Sequence, residues 1–287
     1  MAFRQARGLR FHTQQMGKAA AGAPVVMLHG LFTGSLASWW FTAAPVVART
    51  HPVRLLDLRG HGLSDCPPSG YDTATMAADV LALTDDLPPF AVVGHSYGAL
   101  LGLRLALDHP ERVTALACVE PPLVTIRDRG PDGERDAPSD EASETERRLL
   151  TETTILADLR AEAPVTDDDL RAVGVPLLFA FGDRSWCAPA AERVAAVRPD
   201  AEVAVLAGGH ALHVDARDEL AALLAGFLDD ALAAGPALAA SRQATTPAGP
   251  VPAAATEAPA ATAESSGAVA PGATERAPDH HEAVPHG

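Results

Sequence analysis

Aromatic residues make up only 5% of the 287 residues, while 47% are hydrophobic, so alanine and the aliphatics must fill any core. Basic charge is also short, with 22 Lys and Arg against 37 Asp and Glu, a net charge of −15. No basic stripe offsets this acidity, so neither nucleic acid nor an anionic membrane is expected as a partner, and the charge reads as a solubility feature. Cysteine is scarce. Cys66, Cys118 and Cys187 are scattered without metal-ligand spacing, as expected of reduced thiols in a cytoplasmic protein. No apolar run is long enough to cross a bilayer, and no apolar signal core follows Arg4 and Arg7, so secretion is not indicated.

What is present centres on Gly94-His95-Ser96-Tyr97-Gly98, set between an apolar strand pattern (Ala91-Val92-Val93) and a small-residue helix pattern over 99–107. This arrangement has the form of a nucleophile elbow. A strand delivers the serine to a turn so tight that only small residues fit beside it, and the following helix aims its N-terminal dipole at a developing oxyanion.

Alternating strand and helix patterns run from about Leu9 to Leu228. Strands are predicted at 9–14, 25–29, 53–58, 90–94, 113–119, 176–182 and 202–206, mostly as the short apolar runs of parallel strands covered on both faces. A last helix is predicted from Asp215, a suitable cap, to Leu228, with Leu220, Leu223, Leu224, Phe227 and Leu228 on one stripe. The expected fold is α/β, a doubly wound and mostly parallel sheet with ligands beyond the carboxyl ends of its strands.

Two segments break the alternation. Residues 121–175 put about fifty residues between two strands, too many for a simple connection. They read as a short helical cap or lid, with Leu149, Leu150, Ile155, Leu156 and Leu159 as its apolar contacts. Beyond about Gly235 the Ala/Pro/Thr/Ser/Glu composition lacks apolar periodicity and is expected to be disordered. The expected organisation is therefore a core of 1–120 and 176–234, a cap of 121–175 and a tail of 235–287. His280, His281 and His286 in that tail read as incidental rather than as a metal site.

A serine nucleophile needs a base, an acid to orient the base, and donors for the oxyanion. His210 follows a predicted strand and the loop Ala207-Gly208-Gly209, where an imidazole can hang over the serine; His213 competes from three residues on. The loop His29-Gly30-Leu31-Phe32-Thr33-Gly34-Ser35 is expected to supply an oxyanion donor. The amides of Leu31 and Tyr97 are the candidates, and His29 reads as structural.

His29-Gly30, the stretch from Asp57 through Arg59, Gly60, His61 and Gly62 to Asp65, the elbow and Gly208-Gly209-His210 resemble, in sequence and order, the α/β-hydrolase superfamily. The resemblance spans about residues 8–230 and speaks to fold far more than to substrate. It implies that Arg59, His61 and Asp65 are packing and hydrogen-bonding residues. In many members the acid lies three residues after the glycine ending the strand that follows the cap, which here is Ser185 after Gly182. Ser185 cannot ionise. Other members, including a group of haloalkane dehalogenases, place the acid at the end of the strand before the cap, and Glu120 stands there before Pro121-Pro122. A glutamate there would be costly without a hydrogen-bond partner, which a histidine N–H would provide. Glu120 is preferred on position, with Asp183 the alternative acid.

The elbow residue separates reactions. Members that displace at an alkyl carbon use an aspartate, whereas Ser96 implies attack at a carbonyl and an acyl-enzyme. The expectation is a serine hydrolase of a carboxylic ester, thioester or lactone, with carbon–carbon bond hydrolysis or a non-hydrolytic binding or cyclase role as alternatives. Phe32, Trp40 and Trp186 are candidate acyl-pocket residues, although core packing explains Trp39, Trp40, Phe41 and Trp186 equally well. Arg147 and Arg148 could face an anionic group but read first as a solvated helix face. The chemistry calls for a small-molecule acyl substrate, no cofactor and no metal. Homo-oligomerisation is left open.

Overall fold

In the computed structural model, residues 2–123 and 141–233 are described. Among them the strands are β1 (Ala2–Ala6), β2 (Leu9–Met16), β3 (Val25–Leu28), β4 (Val53–Leu56), β5 (Phe90–His95), β6 (Val113–Val119), β7 (Leu177–Gly182) and β8 (Glu202–Leu206). They form one sheet in the order β1-β2-β4-β3-β5-β6-β7-β8. From β4 to β8 every pairing is parallel, and β1 and β2 join antiparallel at one edge.

The apolar runs are buried on both faces because successive side chains point to opposite sides. Val26, Leu28, Val92, Cys118 and Phe179 face one core, while Val25, Met27, Val93, Ala117 and Ala180 face the other. The first core is covered by α3 (Thr73–Leu83), α4 (Tyr97–Asp108) and α8 (Ala190–Val197). The second is covered by α1 (Ala37–Trp40), α2 (Ala44–Val47), α9 (Leu212–Asp215) and α10 (Arg217–Ala233).

Strand β1 has no counterpart in the sequence reading. It lies at the sheet edge, Phe3 is exposed and Ala6 is its buried side chain, so no apolar run marks it. Arg7 and Gly8, with φ of 49° and 80°, form the two-residue hairpin that joins it to β2. Asp215 does not start the last helix as expected. It ends α9, and its carboxylate accepts the Gly209 N–H at 2.7 Å instead.

Between β6 and β7, the described part of the expected cap holds two helices, α5 (Glu144–Glu152) and α6 (Ile155–Ala161), followed by α7 (Asp167–Ala172). Ser143 caps α5, and Thr166 and Asp169 form a reciprocal capping box on α7. Leu149 and Ile155 are buried in the first core, with Leu150, Leu156 and Leu159 packed against it. Polar bonds tie these helices to the segment after β4: Thr154 N–H to Pro68 O, Tyr71 N–H to the Asp158 carboxylate, and Thr73 N–H to Glu162. The expected tail at 235–287 and its histidines lie outside the described residues, as does 124–140 of the expected cap.

Candidate active site

Ser96 sits between the last residue of β5 and the first of α4, with φ of 52° and ψ of −119°. A left-handed serine is rare and costs on the order of 1–3 kcal/mol, which the surrounding packing must impose. Two glycines make the turn sterically achievable. A Cβ on Gly94 would strike the Gly98 carbonyl, and one on Gly98 would lie 2.6 Å from Leu28 O and 2.7 Å from His29 O. The Ser96 amide donates to Val119 O at 2.8 Å, anchoring the turn to the neighbouring strand.

His210 reaches this serine from the loop after β8. Its Nε2 lies 3.0 Å from Ser96 Oγ, and its Nδ1 lies 3.0 Å from Glu120 Oε2. An ionised carboxylate only accepts, so the proton belongs on Nδ1 and leaves Nε2 free to accept from the serine hydroxyl. The loop is held in place by Asp183, whose Oδ1 accepts Gly208 N–H at 2.9 Å, and by His95, whose Nε2–H donates to His210 O at 2.8 Å. Asp183 thus touches the loop backbone, whereas Glu120 touches the imidazole.

Glu120 leaves β6 with φ of 55° and is fully buried. An unpaired carboxylate there would be prohibitive. Three donors satisfy it: Gly182 N–H on Oε1, with Ser185 Oγ–H and His210 Nδ1–H on Oε2. Ser185, the residue at the expected acid position, is therefore a donor to the Glu120 carboxylate at the end of the neighbouring strand. Its Oγ in turn accepts Cys187 N–H at 3.1 Å. The signal for this partnership was in the sequence, as a hydroxyl where a carboxylate was expected.

Cys187 Sγ lies 3.7 Å from His210 Nδ1 and 3.5 Å from Glu120 O. Glu120, Cys187 and His210 bring ligand-type atoms within 4.8 Å of one another. The Glu120 carboxylate is already occupied by N–H and O–H donors, so the donor set fits a hydrogen-bonded relay better than a cation cage.

The loop after β3 approaches the serine closely enough that a Cβ on Gly30 would lie 3.1 Å from Ser96 Cβ. Phe32 has φ of 66°, and its amide donates to His61 Nε2 at 2.9 Å. No hydrogen bond among the described residues takes up the Leu31 or Tyr97 amide. His29 donates from Nδ1 to Gly30 O at 2.7 Å and accepts Leu58 N–H at Nε2. Asp57 accepts Leu36 N–H at 2.7 Å and Leu63 N–H at 3.0 Å, and Arg59 pairs with buried Asp79. Asp65 accepts Arg10 N–H at 2.8 Å. His29, Asp57 and His61 thus bond to the loop after β3, Arg59 and Asp65 bond to Asp79 and Arg10 away from it, and none of them hydrogen-bonds to Ser96.

Burial lowers His29 to about 4, and lowers His61 and His95 to about 3, so all three are neutral near pH 7. His213 is also lowered by burial; its ring packs 4.7 Å from His95 and 5.9 Å from Trp39, and it does not bond to the serine. Of the aromatic candidates, Trp186 stacks at a tilt 5.0 Å from His210, and Phe32 packs partly buried against the first core. Trp40 packs against the second core, beside buried Trp39.

A model of the alpha/beta hydrolase fold family matches residues 23–151. A protein of Klebsiella pneumoniae subsp. pneumoniae named "Putative carbamate hydrolase RutD" is 40% identical over 101 residues, covering 34% of this chain and 38% of that protein. The match therefore spans well under half the length of that curated relative. The enol-lactonase from Burkholderia xenovorans LB400 superimposes with a TM-score of 0.63 at 21% identity, over 79% of this chain and 100% of that one. The N-formylmaleamic acid deformylase from Pseudomonas putida S16 gives a TM-score of 0.61 at 21% identity, over 78% and 98%. With its sheet order, its strand-to-helix serine and this match over residues 23–151, the chain has the α/β-hydrolase fold.

Proposed function

We propose that this chain is a serine hydrolase of carboxylic esters, thioesters or lactones, working through an acyl-enzyme on Ser96. The observation that carries this reading is the unbroken line from Ser96 Oγ to His210 Nε2 and from His210 Nδ1 to Glu120 Oε2, each step 3.0 Å. As Ser96 Oγ attacks the carbonyl carbon, its proton passes to His210 Nε2, and the buried Glu120 carboxylate stabilises the imidazolium. The Leu31 and Tyr97 N–H groups receive the negative charge on the carbonyl oxygen. His210 then returns the proton to the departing alcohol or thiol, or to the opened ring oxygen of a lactone. Water attacks the acyl group and gives its proton to His210; the acid leaves and Ser96 regains its hydrogen.

Phe32 and Trp186 would flank the acyl group. Trp186 is 41% exposed beside the base, and Phe32 lies in the loop facing the elbow. Asp183 is assigned to holding the His210 loop. The relatives' names, carbamate hydrolase, enol-lactonase and deformylase, support a hydrolase without choosing among acyl substrates.

The test compares wild type with Ser96→Ala on p-nitrophenyl esters of increasing acyl length and on matching thioesters, alongside labelling by a fluorophosphonate. Turnover and labelling that both vanish in the variant are expected. A wild-type protein that resists labelling would overturn the reading.

A further inference from the structure

Helix α5 carries an arginine that its own fold leaves incompletely used. Arg148 is half-buried, and its Nη2–H donates to Gly60 O at 3.1 Å. Its Nε is buried with no hydrogen-bond partner. Arg54 and Arg112 also bury an Nε without a partner, but among the described residues the rest of each of the other buried or half-buried guanidinium groups is provided for. Arg4, Arg54, Arg59, Arg193 and Arg198 pair with aspartates, and Arg112 is held by two carbonyls and lies over the Phe90 ring. Among the described residues, Arg148 pairs with no carboxylate. A guanidinium taken partly out of water and denied a counter-ion is an unfavourable arrangement unless a ligand completes it.

Its location says which ligand. Leu149, the next residue, would touch a Cβ placed on Gly60, so α5 sits directly on the Gly60-His61 turn. His61 holds the Phe32 amide of the loop facing Ser96, and Tyr71, beside Gly60, accepts the Tyr97 hydroxyl at 2.7 Å. The charge of Arg148 is felt here: after burial and the neighbouring His29, it is among the causes that lower His61. His29, His61 and His95 are held neutral around the elbow, and burial lowers His213 as well, in a chain whose net charge is −15. A negatively charged substrate entering such a protein needs a local cation, and the planar fork of arginine matches a carboxylate with two parallel bonds.

Resting on the serine-hydrolase reading of the same site, we propose that Arg148 is a specificity residue that binds a carboxylate on the acyl portion of the substrate. The substrate class is then the ester, thioester or lactone of a dicarboxylic acid, its second carboxylate free. The ester bond lies at Ser96 and the free carboxylate under α5.

The test separates this claim from the chemistry at Ser96. Binding of monomethyl esters of succinic, glutaric and adipic acid to Ser96→Ala would be measured by calorimetry against the uncharged dimethyl esters. At least one monoester is expected to bind about 10–100-fold more tightly than its dimethyl counterpart, the range for a hydrogen-bonded charge. Adding Arg148→Met, which keeps the apolar stem, should abolish that preference, and Arg148→Lys should restore part of it. If Arg148→Met does not fold, Arg148→Gln replaces it. No preference across the three chain lengths, including no binding at all, would overturn the proposal. So would a preference that survives loss of the guanidinium. Failure of the serine-hydrolase reading would show instead as absent fluorophosphonate labelling of wild type, whatever the calorimetry reads.

Discussion

Ser185 Oγ–H donates to Glu120 Oε2, so a hydroxyl three residues past the end of β7 serves a carboxylate at the end of β6. Because β6 and β7 are hydrogen-bonded parallel neighbours, the two positions approach from adjacent strand ends. Either could present a carboxylate to one imidazole. Here the carboxylate stands on one strand and a hydroxyl donor to it on the other.

Glu120→Gln should lower kcat by about 10²–10⁴-fold, because a neutral amide cannot stabilise the imidazolium formed at His210. Asp183→Asn should lower it by less than about 10-fold, since among the described residues that side chain bonds to the loop backbone and to Arg184 and not to His210. Steady-state kinetics on one p-nitrophenyl ester decides the ranking, and equal losses would reassign the acid.

Ser185→Ala removes one of three donors from a fully buried carboxylate and should cost about 1–3 kcal/mol of stability. The reciprocal exchange is more telling. Glu120→Ser combined with Ser185→Asp should recover at least about 10-fold of the activity lost in Glu120→Ser alone, because the carboxylate returns from the neighbouring strand. A double variant no better than the single one would mean that β7 cannot aim an acid at His210.

Acid should destabilise the fold well above the range of ordinary carboxylates. His29, His61 and His95 have folded pKa values lowered to about 4, 3 and 3, while the unfolded chain protonates near 6.5. Above pH 6.5 neither state binds these protons, and the stability is intact. As pH falls from 6.5 towards 4, the unfolded state gains protons that the folded state refuses, and each histidine contributes a loss of about 1.4 kcal/mol per pH unit. Urea unfolding at pH 7, 6 and 5 should show a midpoint that drops steeply over the last interval. A constant midpoint would mean that these imidazoles are solvated.

Gly98→Ala should destabilise by about 1–3 kcal/mol or more and abolish fluorophosphonate labelling, since its Cβ would meet the backbone carbonyls of Leu28 and His29. Gly174→Ala, with nothing within 4 Å of the added carbon, should be neutral or slightly stabilising. Thermal melts of the pair test the contrast. A tolerated Gly98→Ala would show that the turn has slack the geometry denies.

The core strands were legible because each is a run of apolar residues long enough to be buried on both faces, a local property that survives in any order of assembly. The elbow was legible for a similar reason, as only glycines at 94 and 98 fit the backbone around a left-handed serine. Strand β1 was not, because an edge strand with one buried side chain leaves no periodic mark. The break between α5 and α6 likewise depends on where Thr153 and Thr154 meet neighbouring residues: the Thr153 hydroxyl donates to Leu149 O, and Thr154 N–H donates to Pro68 O.

By itself, then, the sequence determined the alternating architecture, the strand-to-helix turn at Ser96 and a short set of candidate partners for that serine. Local pattern and steric necessity carry that much. Only the tertiary structure decided that Glu120 rather than Asp183 meets His210, that Ser185 donates to that acid, and that Trp40 belongs to the far core. It also decided that Arg148 is drawn half out of water with no carboxylate partner among the described residues. Those outcomes turn on which strand ends lie side by side and which face of a helix is covered, and residues 62 to 90 positions apart in the chain meet only when the sheet is assembled.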